Sequence, residues 1–160
     1  MKILIIYYSL SGITKQTADV LAAKLPADKK RVKDQEKRTG IFGMMLTIYQ
    51  ILLAKPSHIQ TLKIDISQYD LIILGTPVWM MRLASPMRAL INQEKYRLPK
   101  VAFFCTESSS GATAVFRTME ELCETTPIAT LEITQSDMAH LDDSKKLSDF
   151  LNTCQKAVSK

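Results

Sequence analysis

The chain has 160 residues, 46% of them hydrophobic, enough for one globular domain that buries most of its apolar surface. Its 3 cysteines are odd in number and widely spaced with no C-x-x-C pair, which argues against a disulfide framework and a zinc site and fits a reducing cytoplasm. The formal net charge of +5 speaks to solubility and steering, not to fold, and Ile3 to Ile6 is too short an apolar run for a secretory signal.

Lys2 to Tyr8 forms a continuous run ending at Ser9, the pattern of a strand buried on both faces. From Ile13 the period changes: Ala18, Leu21, Ala22 and Leu25 recur at helical spacing until Pro26. Only Val32 is apolar between Ala27 and Thr39, so a second strand there is a short edge strand blunted by lysines. Asp28 to Arg38 holds six basic and three acidic residues and reads as a solvated edge; it lacks the interleaved aromatics of a nucleic-acid surface, so no nucleic-acid partner is expected. Gly40 to Lys55, GIFGMMLTIYQILLAK, is apolar around nearly its whole circumference, yet at 16 residues it is too short to span a bilayer. It reads as a helical insertion that packs on the domain, covers a ligand or forms a homodimer contact, in preference to lying on a membrane surface. Leu71 to Leu74 and Val101 to Phe104 repeat the buried-strand pattern, and Pro127 to Ile133 supplies another strand. Met87 to Ile91, Phe116 to Leu122 and Leu147 to Val158 read as the helices between and after them. This alternation predicts a single α/β domain, a parallel sheet with helices on both faces.

Ligands of such sheets bind beyond the carboxyl ends of the strands, so the loops after the three strongest strands are the candidate site. The first, S-L-S-G-I-T (Ser9 to Thr14), joins a glycine turn to a helix start and adds the hydroxyls of Ser9, Ser11 and Thr14, which suits a phosphate; the plain alternative is an ordinary N-cap. There is no G-x-x-x-x-G-K-[ST] and no G-x-G-x-x-G, which argues against a nucleoside triphosphate or Rossmann dinucleotide site. The second, T-P-V-W-M-M-R (Thr76 to Arg82), carries the only tryptophan, Trp79, placed for a planar ring to lie against, unless it packs under the next helix. The third, T-E-S-S-S-G (Thr106 to Gly111), offers hydroxyls and a backbone that can approach a ring edge; its alternative is a helix cap by Ser108 to Ser110. Cys105 reads as a buried strand residue, since a phosphatase loop would need arginine where Gly111 stands. A phosphorelay receiver would need acidic residues where Tyr7, Tyr8 and Ser9 stand and an aspartate where Gly75 and Thr76 stand. His58 and His140 are isolated, and neither a catalytic acid or base nor a metal site is predicted.

With S-x-S-G-x-T, YDLIILGTPVW followed by SPMRAL, and more loosely VAFFCTESSSG, the chain resembles the flavodoxin family over nearly its whole length. The resemblance implies a five-stranded parallel sheet of order 2-1-3-4-5 and a bound flavin mononucleotide (FMN). Ser9, Ser11, Gly12, Ile13 and Thr14 would hold the phosphate. Thr76, Pro77, Val78 and Trp79 would lie along the ribityl chain and isoalloxazine. Thr106, Glu107, Ser108, Ser109, Ser110 and Gly111 would contact the pyrimidine side. Two departures stand out: TESSSG lacks the aromatic ring that sandwiches the flavin in many electron carriers, and the chain is basic where those carriers are acidic. No glycine follows Gly75 in TPVWMMRLASP, so a side-chain-bearing residue would have to enter an unfavourable backbone region to stabilise a one-electron state. A flavin-dependent oxidoreductase acting between a nicotinamide and a small acceptor such as a quinone is therefore expected. The alternatives are a one-electron carrier serving a protein partner and a non-enzymatic interaction module.

Overall fold

The computed structural model describes residues 2–159. Its elements run β1 (Ile3–Tyr7), α1 (Ile13–Lys24), β2 (Asp28–Arg31), α2 (Gly40–Leu52), β3 (Leu71–Trp79), β4 (Arg82–Leu83), α3 (Ser85–Glu94), β5 (Lys100–Glu107), α4 (Ala112–Cys123), β6 (Thr130–Thr134) and α5 (Lys145–Val158). Five strands are parallel in the order β2-β1-β3-β5-β6, and β4 turns back antiparallel on the end of β3. Counting the parallel strands alone, this is the predicted order 2-1-3-4-5.

The strands that read as unbroken apolar runs are buried on both faces because their alternate residues feed two cores. Leu4, Ile6, Ile72, Leu74, Val101 and Phe103 point to one, closed by Met87, Leu90 and Ile91 of α3 and Val115 and Met119 of α4. Ile3, Ile5, Leu71, Ile73, Phe104 and Ile133 point to the other, closed by Ala18 and Leu21 of α1 and Leu147, Phe150 and Cys154 of α5. β2 is the expected exposed edge strand, and Val32 beyond it turns inward.

Three expectations change. The segment after Leu74 is not a loop: β3 continues to Trp79, and Met80 and Met81, with φ of 49° and 60°, make the two-residue turn into β4. Positive φ at both central residues is what a primed hairpin turn requires, so two methionines already occupy the backbone region that a glycine-free segment was expected to avoid. The basic run 28–38 is not all solvated edge, because the side chains of Asp34 and Arg38 are buried against each other in its second half. Finally, of the large apolar side chains of α2 only Ile51 is buried, and it joins neither of these two cores. No helix among them is long and apolar enough to cross a membrane.

Candidate functional site

β1 and β3 are neighbours, but β1 leads through α1 outward to β2 whereas β3 leads through α3 outward to β5. The crevice beyond their carboxyl ends is the switch point at which sheets of this kind bind ligands. A cleft of about 170 Å³ opens there, lined by Ser11 and Ile13, by Pro77, Val78 and Trp79, and by Thr106, Glu107, Ser108 and Gln135. All three predicted segments thus meet in one place. A larger depression of about 490 Å³ runs between α4 and α5 along the edge strand β6, away from this switch point.

Gly12 adopts φ 103° at the N-cap of α1, a conformation that disfavours any side chain although a Cβ there would meet nothing within 4 Å. The Ser9 hydroxyl accepts the Gly12 N–H at 3.1 Å, which tightens the turn from inside, and Ser9 is buried. No side chain caps α1. The N–H groups of its first turn, Ile13 to Lys15, lack intrahelical acceptors by geometry and point out of the helix beside the exposed Ser11. The buried Thr14 hydroxyl shares a 2.7 Å hydrogen bond with that of Thr106, which ties the first segment to the third across 92 residues. The Arg31 guanidinium donates to the Ser9 carbonyl at 2.6 Å and brings positive charge to the same loop.

Trp79 is half-buried in the hairpin and packs against the core that α3 and α4 close. The Tyr8 ring meets it edge-on, with centroids 5.5 Å apart and planes at 88°, and the Arg38 guanidinium lies 5.3 Å from its centroid. Arg38 donates to Asp34 and Glu36, to the Thr47 hydroxyl at 3.0 Å and to the Gln50 side-chain carbonyl at 2.9 Å, so α2 is joined to the tryptophan through one buried cation. Burial, and after it the Asp34 carboxylate, push the Tyr8 hydroxyl up to about 12, which keeps it neutral.

Gly111, φ 125°, lies beneath the hairpin: a Cβ there would stand 2.7 Å from Val78 Cγ1 and 2.8 Å from Met81 Cα. Its missing side chain is used by the second segment. Ser108, Ser109 and Ser110 are exposed, and none of them caps α4. The Glu107 carboxylate instead accepts the Ala112 N–H at 3.0 Å. Burial, followed by the neighbouring Glu132 carboxyl, holds Glu107 above the usual carboxylate range. The folded chain therefore keeps this proton to higher pH than the unfolded chain, and stability declines as pH rises from about 4 through the folded-state value. Glu107→Gln keeps an acceptor for Ala112 and removes the ionisation. Its urea midpoint should match that of the parent near pH 4 and exceed it at pH 7; an equal difference at both would show that the ionisation is not the cause.

Sequence reading did not single out Tyr8, Arg31, Arg38 or Gln135. Gln135 was findable, since it follows the last strand on the same rim, whereas nothing local marks the two arginines.

Fold and site together define a doubly wound α/β domain with an uncapped helix start and an aromatic hairpin at its switch point. No protein-family model and no curated sequence matches the chain. Among solved structures it is similar to a flavoprotein of Lactobacillus acidophilus NCFM in complex with FMN, with a TM-score of 0.73 and 29% identity over 88% of this chain and 98% of that one. The apo form of the flavoprotein from that organism gives a TM-score of 0.66 and 30% identity, covering 86% and 95%. Two-electron reduced flavodoxin of Megasphaera elsdenii shares the fold, with a TM-score of 0.63 and 17% identity over 96% and 98%. The chain belongs to the flavodoxin-like flavoproteins.

Proposed function

We propose that this chain binds FMN at the switch point and acts as an oxidoreductase, passing electrons from NADH or NADPH to a small acceptor such as a quinone. The observation that carries the reading is the shared cleft: an uncapped helix start and a tryptophan wall lie on the same opening, one suited to a phosphate dianion and the other to a flat ring. The N–H groups of Ile13, Thr14 and Lys15 and the Ser11 hydroxyl would hold the phosphate, with Ser9 and Gly12 shaping the turn. Thr76, Pro77, Val78 and Trp79 would flank the ribityl chain and ring, and the segment from Thr106 to Gly111 would meet the pyrimidine edge. FMN supplies the electron chemistry when bound, and the chain's own residues bind and orient it. The serines at 108–110 leave no ring in the third segment to cover the second flavin face, which suits direct access by a flat acceptor. All three cysteines are free and buried, in keeping with a reducing cytoplasm.

A second reading, a one-electron carrier for a protein partner, is favoured by the Met80–Met81 turn, whose residues already occupy the positive-φ region. Anaerobic reduction of the FMN-loaded chain decides between the two. Oxidation of NADH or NADPH coupled to turnover of a short-chain quinone supports the oxidoreductase. A persistent long-wavelength one-electron band with neither nicotinamide oxidised would assign the chain to the carriers.

A further inference from the structure

Helix α2 is built inside out. The positions it turns toward the domain are Gly43, Thr47, Gln50 and Ile51, three of them small or polar. A Cβ on Gly43 would lie 2.6 Å from the Arg38 carbonyl carbon, so the glycine lets the helix close onto the preceding chain, and Thr47 and Gln50 are spent on the Arg38 side chain. The outward positions include Ile41, Phe42, Met44, Met45, Tyr49 and Leu52, with Phe42 87% exposed. At 100° per residue the exposed side spans an arc of roughly 200° without one charged or amide side chain. Packing on the domain, one of the placements the sequence left open, is therefore not what most of this apolar surface does.

We propose that α2 docks on an anionic lipid surface, lying in the headgroup plane with this arc in the hydrocarbon boundary. Charge decides between a bilayer and a second copy of the chain. From Lys37 to Ile64 there is no acidic residue, while Lys37 and Lys55 stand at the two ends of the helix and Lys63 follows. The Lys55 ammonium reaches back to the Tyr49 hydroxyl at 2.8 Å, a cation held beside an amphipathic ring at the border of the apolar arc. An isologous pairing through α2 would bring like-charged helix ends together on chains of formal net charge +5, with no carboxylate between 37 and 64 to meet them. An anionic bilayer offers hydrocarbon to the arc and headgroup phosphates to the lysines at once. The helix has 13 residues, enough to lie on a bilayer and too few to cross it. This placement does not depend on flavin binding.

The test is co-sedimentation of the 160-residue chain with vesicles of phosphatidylcholine alone or mixed with phosphatidylglycerol, with light scattering of the free protein. The parent should bind the mixed vesicles about tenfold or more tightly than the neutral ones, and more weakly as salt is raised. The pair Phe42→Ser and Met45→Ser, at exposed positions outside both cores, and the pair Lys37→Glu and Lys55→Glu should each lose about tenfold or more of that binding at an unchanged melting temperature. No association of the parent with the mixed vesicles would overturn the proposal. So would full binding by the Phe42 and Met45 pair, which would leave only a diffuse charge attraction. A parent dimer that this pair dissociates, without vesicle binding, would assign the face to a second copy instead.

Discussion

Removing the phosphate from the flavin is expected to weaken binding roughly a hundredfold. A charge-assisted hydrogen bond contributes about 1.5–3 kcal/mol, so at the lower end of that range loss of two such bonds from the first turn of α1 amounts to about 3 kcal/mol, which is two powers of ten in affinity. The helix dipole adds to this because the same N–H groups carry its positive end. Riboflavin should therefore bind far more weakly than FMN. Gly12→Val provides the control within the protein. Gly12 sits at φ 103°, where a β-branched residue must leave the left-handed region, and a Cβ would meet nothing within 4 Å, so the effect isolates backbone conformation from crowding. The variant should lose about tenfold in FMN affinity and little in riboflavin affinity. Fluorescence titrations with both flavins measure this. Equal affinities in the parent, or equal losses for both flavins in the variant, would remove the phosphate from this loop.

Arg38→Met should destabilise the fold by about 3 kcal/mol or more, since deleting one partner of a buried ion pair leaves its counter-charges desolvated. The Arg38 side chain is 3% exposed and serves Asp34, Glu36, Thr47 and Gln50 together, with Asp34 at 8% and Glu36 at 13%. The His58 backbone N–H and the Gln50 amide also donate to Glu36, and they hold that carboxylate below its usual range against the opposing effect of burial. Arg38→Lys should fall between the parent and Arg38→Met, because an ammonium cannot reproduce the planar fork that reaches four acceptors and covers the indole. The readout is direct: Trp79 is the only tryptophan, so its emission reports loss of the guanidinium at 5.3 Å while denaturant midpoints report stability. A stability change below about 1 kcal/mol with unaltered Trp79 emission would show that the network does not hold α2 to the hairpin.

Much of this architecture was legible along the chain. Doubly buried strands show as unbroken apolar runs, which is why β1, β3 and β5 were found, and β2 was recognised as a weak edge because lysines interrupt it. Strand β4 was missed, since two residues carry no periodicity and the turn before it uses methionines where glycine or asparagine would signal a hairpin. The three segments that meet in the cleft stand out in the sequence because each follows a strong strand. Their internal wiring was hidden: Thr14 and Ser9 both read as free hydroxyls, yet one bonds Thr106 and the other closes its own turn.

What the sequence by itself determined is the alternation of strands and helices, the parallel sheet with helices on both faces that it implies, and the placing of hydroxyls, glycine and tryptophan at the strand ends. These follow from period and composition, which are local. Only the tertiary structure decided the direction in which α2 faces. Its sequence is apolar on nearly every side, so periodicity marks no inward stripe, and the outcome was set by a buried arginine whose donors needed Thr47 and Gln50. An unpaired buried cation costs more than an exposed apolar arc, so the polar residues turned in and the apolar ones turned out.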